Sequence, residues 1–232
     1  DQIGALGTQQ IAAIKTSQIT ALSTDQVVAI STTQAAVLTS VQVAAMKTAQ
    51  IAAIQTADLV KLTTAALAAI TTAQIQALGT DQVAALQTNQ VNALTAAQVG
   101  KLTTDQVVAL STLQAANIGT LQAAALTTAG IAAMDTADVA ALNTAAVAAL
   151  TTAQIRALTT SDDGQVVALN TNQVMALKAT QVAALTTDQV AVMQTADLVK
   201  LDSAQIQALT TAQLRALTTD VQVPALLSTQ LN

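Results

Sequence analysis

The chain has 232 residues and contains no histidine, cysteine, phenylalanine, tyrosine or tryptophan. Without histidine and cysteine it lacks the commonest general base, thiol nucleophiles and thiolate metal ligands, and a net charge of −5 argues against a nucleic-acid-binding surface. Mean hydropathy is +0.52, yet every apolar run is far too short to span a membrane, so membrane insertion is not expected. We therefore predict a non-enzymatic protein with no catalytic, cofactor-binding or metal-binding residues, no cofactor and no small-molecule substrate.

An eight-residue repeat, here called the octad, organises the sequence from Gly7 onward. Position eight is always Leu, Ile or Met, position five is mostly Ile, Val or Leu, position two is mostly Thr, and position four is mostly Gln. The array is regular over 1–158, three extra residues enter within about 159–164, and the octads resume over 165–217. The end, 218–232, is irregular, with one more extra residue near Val221–Pro224. We expect 1–232 to form a single solenoid domain.

The octad predicts short helices separated by corners. A continuous α-helix would rotate the apolar stripe by about 80° per octad, and a continuous strand would place positions five and eight on opposite faces. Within one octad, however, those positions are neighbours on a helical turn. The sequence therefore predicts an all-α solenoid of very short helices, one per octad, with an aliphatic core. Thr at position two is the expected N-cap of a helix over positions three to eight. Two, three or four octads per solenoid turn remain open.

The charged residues follow the direction expected of such helices. An acid is stabilised near the N-terminus of a helix and a base near its C-terminus. Aspartates such as Asp25, Asp81 and Asp105 occupy positions three or four. All eight bases occupy positions six, seven or one, namely Arg156, Arg215, Lys61, Lys101, Lys200, Lys15, Lys47 and Lys178.

Few side chains offer chemistry, and each has a plain structural interpretation. The Gln column at position four is expected to form hydrogen bonds between turns, the alternative being an exposed residue. Asp162, Asp163 and Gly164 could ligate Ca²⁺, although two acids before a glycine are typical of a solvated turn. Lys61, Lys101 and Lys200 are expected to be solubilising charges over apolar stems.

The segment 150–158, LTTAQIRAL, resembles the octapeptide-repeat arrays of very large secreted or surface-attached bacterial repeat proteins. The resemblance extends over essentially the whole chain. It implies an extracellular or bacterial cell-surface location and a structural or adhesin-like setting, and it transfers no site residue.

These observations favour a structural repeat module: a spacer, stalk or filament-forming segment of an extracellular bacterial protein. Both ends of the sequence fall within an octad and lack a polar capping repeat, which predicts contact with flanking repeats or with another copy, end to end. One alternative is an ice-binding protein that uses the ordered Thr columns. Another is a protein-binding scaffold, although aromatic residues and clustered arginines, the usual anchors of a binding surface, are missing.

Overall fold

A computed structural model of the chain describes residues 2–218 and 221–226. The chain falls into two compact units, Asp1–Asn117 and Ile118–Asn232. Throughout the described residues the regular secondary structure is short α-helix, one helix to an octad. The predicted all-α solenoid is thereby confirmed. None of these helices has the length and apolar character needed to cross a membrane.

The first unit contains fourteen described helices of four to six residues each. They are α1 Thr8–Ala12, α2 Thr16–Ile19, α3 Thr24–Val28, α4 Thr32–Ala35, α5 Ser40–Ala45, α6 Thr48–Ala53, α7 Thr56–Leu59, α8 Thr64–Ala69, α9 Thr72–Ala77, α10 Thr80–Ala85, α11 Thr88–Ala93, α12 Ala96–Val99, α13 Thr104–Val108 and α14 Thr112–Ala116.

The second unit contains thirteen described helices of the same size. They are α15 Thr120–Ala125, α16 Thr128–Ala133, α17 Thr136–Ala141, α18 Thr144–Ala149, α19 Thr152–Ala157, α20 Gln165–Ala168, α21 Thr171–Met175, α22 Ala179–Ala184, α23 Thr187–Val192, α24 Thr195–Leu198, α25 Ser203–Gln207, α26 Thr211–Ala216 and α27 Gln222–Ala225.

The helix begins one residue earlier in the octad than the sequence analysis placed it. In α9 the N-cap is Thr71 at position one, with φ −70° and ψ 160°, and Thr72 at position two is the first helical residue. The helix ends at position seven, and Leu78 at position eight is extended, with φ −64° and ψ 137°. The prediction that Thr at position two is the N-cap is therefore wrong. The extended residues at positions eight and one form the corner instead.

Each helix packs against helices three places away along the chain. In the first unit α5 contacts α2 and α8, and in the second α18 contacts α15 and α21. The amide of Gln42, in the octad of α5, nevertheless reaches the carbonyls of Ile11 and Ile14, four octads earlier. Each helix therefore lies across the corner between its third and fourth predecessors. A solenoid turn holds between three and four octads, and the two-octad hairpin stack is not formed.

Positions five and eight form the aliphatic core of each unit, as predicted. At position five, Ile51 and Leu67 have no exposed surface, and at position eight Leu78 is only 4% exposed. Helices of one or two turns do not persist alone, because helix nucleation costs more free energy than so few hydrogen bonds recover. Burial of the two aliphatic side chains contributed by most octads stabilises them, at about 0.8 kcal/mol per buried CH₂ group.

The acids follow the expected direction more closely than the bases. Asp25, Asp81 and Asp105 lie in the first turns of α3, α10 and α13, where the helix dipole favours a negative charge. Arg156 and Arg215 lie in last turns. The three lysines at position one contradict the charge argument because the helix begins earlier than expected: Lys15, Lys47 and Lys178 are N-cap residues.

Candidate functional site

The recurrent polar feature of the chain is a reciprocal cap at the start of each helix. In α13 the Oγ1 atom of Thr103 accepts a hydrogen bond from the backbone N–H of Gln106, with an N···O distance of 3.2 Å. The backbone N–H of Thr103 in turn donates to Oε1 of Gln106 at 2.9 Å. This is a capping box between positions one and four, and it satisfies backbone donors that a short helix would otherwise leave open.

The same glutamine joins its helix to an earlier turn of the solenoid. The Nε2 atom of Gln106 donates to the carbonyl of Ile75 at 2.8 Å and to that of Leu78 at 2.7 Å. These acceptors are positions five and eight of the octad four places earlier, at the C-terminal end of α9. Gln106 is 2% exposed. Its amide therefore satisfies buried carbonyls at a helix end and holds two turns together.

We call these contacts the inter-turn hydrogen bonds. Each consists of a position-four Gln amide nitrogen donating to the main-chain carbonyls of positions five and eight. They confirm the expected hydrogen bonding of the Gln column. In the first unit they are made by Gln34, Gln42, Gln50, Gln74, Gln82, Gln90, Gln98, Gln106 and Gln114. In the second they are made by Gln154, Gln165, Gln173, Gln181, Gln189, Gln205, Gln213 and Gln222.

The extra residues within 159–164 leave these bonds in register. Gln165 accepts from the backbone N–H of Thr159, six residues earlier instead of three. Its amide still donates to the carbonyls of Ile131 and Met134, at 2.6 and 2.7 Å. Near the end of the chain, Gln222 likewise reaches Val190 and Met193 across the second extra residue. The corner absorbs added residues, and the helices keep their partners.

Octads without Gln at position four use other side chains. Where Ala146 occupies that position, Asn143 at position one caps its N–H at 2.8 Å and donates to the carbonyl of Ile118 at 2.9 Å. Where Asp197 occupies it, the hydroxyl of Thr171 donates to the Asp197 carboxylate at 2.7 Å. Among the described residues, no buried side-chain nitrogen or oxygen lacks a hydrogen-bond partner.

A known repeat family matches most of the chain. The model of the ALTTAQ repeat matches residues 1–32, 11–48, 51–88, 84–112, 131–162, 162–195 and 190–229. The chain belongs to the ALTTAQ repeat family. No curated protein and no solved structure matches it.

The loop after α19, which contains the three extra residues, borders an open cavity. Asp162 and Asp163 are exposed, whereas Gly164 is buried. An open cavity of about 190 Å³ is lined by Thr136, Asp162, Asp163, Gly164, Val167 and Ala168. Within the described part of the chain, no cluster of three or more potential His, Cys, Asp or Glu ligands occurs. The Ca²⁺ hypothesis gains no support and stays a prediction.

The remaining candidates of the ALTTAQ-repeat chain lie on its surface. Lys61, Lys101 and Lys200 are exposed. The position-two Thr side chains, as at Thr48 and Thr72, are exposed or half-buried on the first residue of their helices. The ice-binding hypothesis, which depends on the Thr columns, therefore stays a prediction.

Asp58 is a buried acid whose surroundings shift its ionisation. It occupies position four in α7 and is 5% exposed. Burial disfavours the charged carboxylate and raises the pKa of Asp58 above its usual value of 3.8. In the same octad, the side chain of Gln55 at position one donates to the carbonyl of Val28 at 2.9 Å. At neutral pH the buried, charged carboxylate of Asp58 therefore lowers the stability of the folded first unit.

Sequence reasoning missed the capping box, although its signal is legible. A Ser or Thr followed three residues later by Gln recurs at positions one and four, which is the sequence signature of such a cap. Thr is more frequent at position two than at position one, and for this reason the predicted helix start lay one residue too late.

Proposed function

We propose that this member of the ALTTAQ repeat family is a structural spacer or stalk, in which each octad adds a fixed increment of length. The observation that carries this proposal is the identity of the acceptors in the inter-turn hydrogen bonds. They are main-chain carbonyls, as at Ile75 and Leu78, and every octad has such carbonyls whatever its side chains. An octad with Gln at position four can therefore follow another octad without a specific partner residue. Such a joint supports extension by repetition.

The chemistry of the described residues supports the same role. The amide nitrogens of the buried position-four glutamines are occupied by main-chain carbonyls, and the side-chain oxygens accept from cap backbone N–H groups, as at Gln106. These groups stabilise the fold and are not available to a substrate. A repeat family and an all-helical solenoid suggest a structural rather than a catalytic role.

The proposal is tested by changing the number of octads. Copies of the octad 79–86, GTDQVAAL, would be inserted after Leu86, and the largest dimension of the monomer would be measured by small-angle X-ray scattering at low protein concentration. We expect an equal increment from each added octad, with cooperative unfolding retained. An eight-residue Gly-Ser segment inserted at the same place should form a loop and add no such increment. Octads that leave the dimension unchanged would contradict the spacer role.

We further propose an extracellular or cell-surface location. Support comes from the resemblance to secreted bacterial repeat arrays and from the small number of basic residues, eight, at which trypsin-like proteases cleave. Antibody labelling of intact and permeabilised cells that produce the chain tests this location. Equal labelling of both is expected. Labelling confined to permeabilised cells would overturn it.

A further inference from the structure

One octad occurs identically in both units and has aspartate instead of glutamine at position four. Its sequence is QTADLVKL, at 55–62 in the first unit and at 194–201 in the second. Asp58 is 5% exposed and Asp197 is 3% exposed, so these carboxyl groups are buried like the glutamine amides of other octads. An ionised carboxylate accepts hydrogen bonds but cannot donate one. It therefore cannot make the inter-turn hydrogen bonds.

The position-one glutamine of this octad shows which part of the solenoid lies beside the aspartate. The Nε2 atom of Gln55 donates to the carbonyl of Val28 at 2.9 Å, and that of Gln194 donates to the carbonyl of Val167, also at 2.9 Å. Val28 and Val167 are position six of the octad four places earlier. The start of α7 and the start of α24 therefore each lie against the C-terminal end of that earlier octad, as the glutamine octads do.

The carbonyls that a position-four glutamine would join lack that donor here. They belong to positions five and eight of the earlier octad, which are Val27 and Ile30 in the first unit and Val166 and Leu169 in the second. None of these four residues is more than 5% exposed. No described group donates to the carbonyls of Ile30 and Leu169, whereas the Leu22 carbonyl, at the same position, accepts from Gln50 at 2.8 Å. A buried carbonyl without a protein donor calls for water or an ion as its partner.

The carboxylates face the same need. No described group donates to the Asp58 carboxylate. Because every wholly buried side-chain oxygen of the described residues has a hydrogen-bond partner, the Asp58 oxygens keep a little contact with solvent, and a small ion can reach them. The Asp197 carboxylate accepts one hydrogen bond, from the Thr171 hydroxyl at 2.7 Å. A buried carboxylate is costly unless it is compensated, and the C-terminal end of a helix adds partial negative charge. Together these groups attract a cation.

We propose that each QTADLVKL octad binds a small monovalent cation, of the size of Na⁺, between its position-four carboxylate and the carbonyls of positions five and eight four octads earlier. The cation takes the place of the glutamine amide as the electropositive partner of these carbonyls. The aspartate side chain is one methylene shorter than that of glutamine, which leaves a gap that two metal–oxygen bonds can span.

The ligand set favours a monovalent cation over Ca²⁺. One carboxylate balances one positive charge, whereas Ca²⁺ takes about six to eight oxygen ligands and relies heavily on carboxylates. Main-chain carbonyls at helix ends are known ligands of Na⁺. The inference goes beyond the spacer role and does not depend on it, because it concerns how two aspartate octads are held within their own units.

The test is thermal unfolding of the full chain at neutral pH, followed by circular dichroism, in NaCl and in tetramethylammonium chloride at equal ionic strength. The two salts screen charges equally, but tetramethylammonium is too large for the site. We expect a midpoint temperature at least about 2 °C higher in NaCl, the shift that a ligand at about ten times its dissociation constant produces in a chain of this size.

The double variant D58N/D197N removes the carboxylates and adds an amide donor, so it should unfold at the same temperature in both salts. The control, D81N/D188N, removes the same charge from exposed acids in first helical turns and should keep the difference. Equal midpoints of the unmodified chain in the two salts would overturn the proposal, as would a difference that persists in D58N/D197N. Stabilisation by CaCl₂ without stabilisation by NaCl would overturn the assignment to a monovalent cation. Each variant is compared with itself in two salts, so its absolute stability does not affect the result.

Discussion

The side-chain amide of Asn143 donates a 2.9 Å hydrogen bond to the carbonyl of Ile118, the end residue of an octad 25 residues earlier. Asn143 also caps α18 through its Oδ1 atom, which accepts from the Ala146 N–H. One residue at position one thus combines the cap that a Thr hydroxyl of that position makes in other octads, as at Thr103, with the donation to an earlier turn that a glutamine amide nitrogen makes, as at Gln106. It does so where position four is alanine.

Replacement of Asn143 by threonine isolates the inter-turn part of this arrangement. Thr63 occupies the same place in the closely similar octad 63–70 and caps Ala66 at 3.1 Å, so Asn143→Thr keeps the cap and loses the bond to Ile118. We expect a loss of about 1 kcal/mol in the free energy of unfolding, measured by urea denaturation. The reciprocal change, Thr63→Asn, should be neutral or stabilising by up to about 1 kcal/mol, because the Leu38 carbonyl lies 25 residues earlier. An unchanged midpoint for Asn143→Thr would show that this bond carries no stability.

Replacement of an N-cap glycine by serine is expected to change stability in opposite directions at two positions. At Gly164, the N-cap of α20, an added Cβ would lie 2.7 Å from the carbonyl oxygens of Thr159 and Ser161. Because both are backbone atoms, Gly164→Ser must displace the loop, at a cost of about 1–3 kcal/mol. At Gly79, the N-cap of α10, the nearest atom is Oε1 of Gln82 at 3.8 Å.

Gly79→Ser should therefore stabilise the chain by up to about 1 kcal/mol, because it adds a capping hydroxyl and reduces the freedom of the unfolded chain. Thermal unfolding followed by circular dichroism checks both variants. Destabilisation by Gly79→Ser, or tolerance of Gly164→Ser, would contradict the local geometry described for these corners.

The raised pKa of Asp58 predicts how stability depends on pH. Between the usual aspartate value of 3.8 and the raised folded value, the folded chain binds more protons than the unfolded chain. The contribution of Asp58 to the free energy of unfolding therefore falls as pH rises through that window. Asp58→Asn should remove this fall and make the chain comparatively more stable at neutral pH.

Urea unfolding at several pH values from about 3 to 7 measures the effect. Asp81→Asn serves as the control, because Asp81 is an exposed acid in a first helical turn and its replacement removes the same charge. If the curves of the chain and of Asp58→Asn run parallel across the whole range, the buried carboxyl has no energetic consequence.

The sequence predicted the parts of the fold that side chains specify. A continuous strand would place positions five and eight, the columns to which Ile51 and Leu78 belong, on opposite faces. The spacing of three residues between these columns therefore led to the prediction of one helix per octad with an aliphatic core. The predicted helix start lay one residue too late, because Thr is more frequent in the column of Thr72 than in the column of Thr71, although Thr71 makes the cap.

The number of octads per turn and the partners of Gln106 could not be predicted for a physical reason. The acceptors lie 28 and 31 residues away and are main-chain carbonyls. A main-chain acceptor is present in every residue and leaves no pattern in the sequence. The glutamine column predicted hydrogen bonds between turns, but only the structure identifies their acceptors.

The central claim is that position-four glutamines hold the turns together through their amide nitrogens. Gln26 and Gln106 lie in the nearly identical octads STDQVVAI and TTDQVVAL, at 23–30 and 103–110. Both make the same capping box, but only Gln106 has carbonyl partners described for its amide, those of Ile75 and Leu78.

The measurement is urea unfolding of Gln106→Glu and Gln26→Glu at neutral pH, since glutamate preserves the cap and abolishes the donor. We predict a loss of about 2–4 kcal/mol for Gln106→Glu, because a buried carboxylate would face two carbonyl oxygens. Gln26→Glu should change the free energy of unfolding by less than about 0.5 kcal/mol. Equal and small effects of the two substitutions would contradict the claim that these amides join the turns.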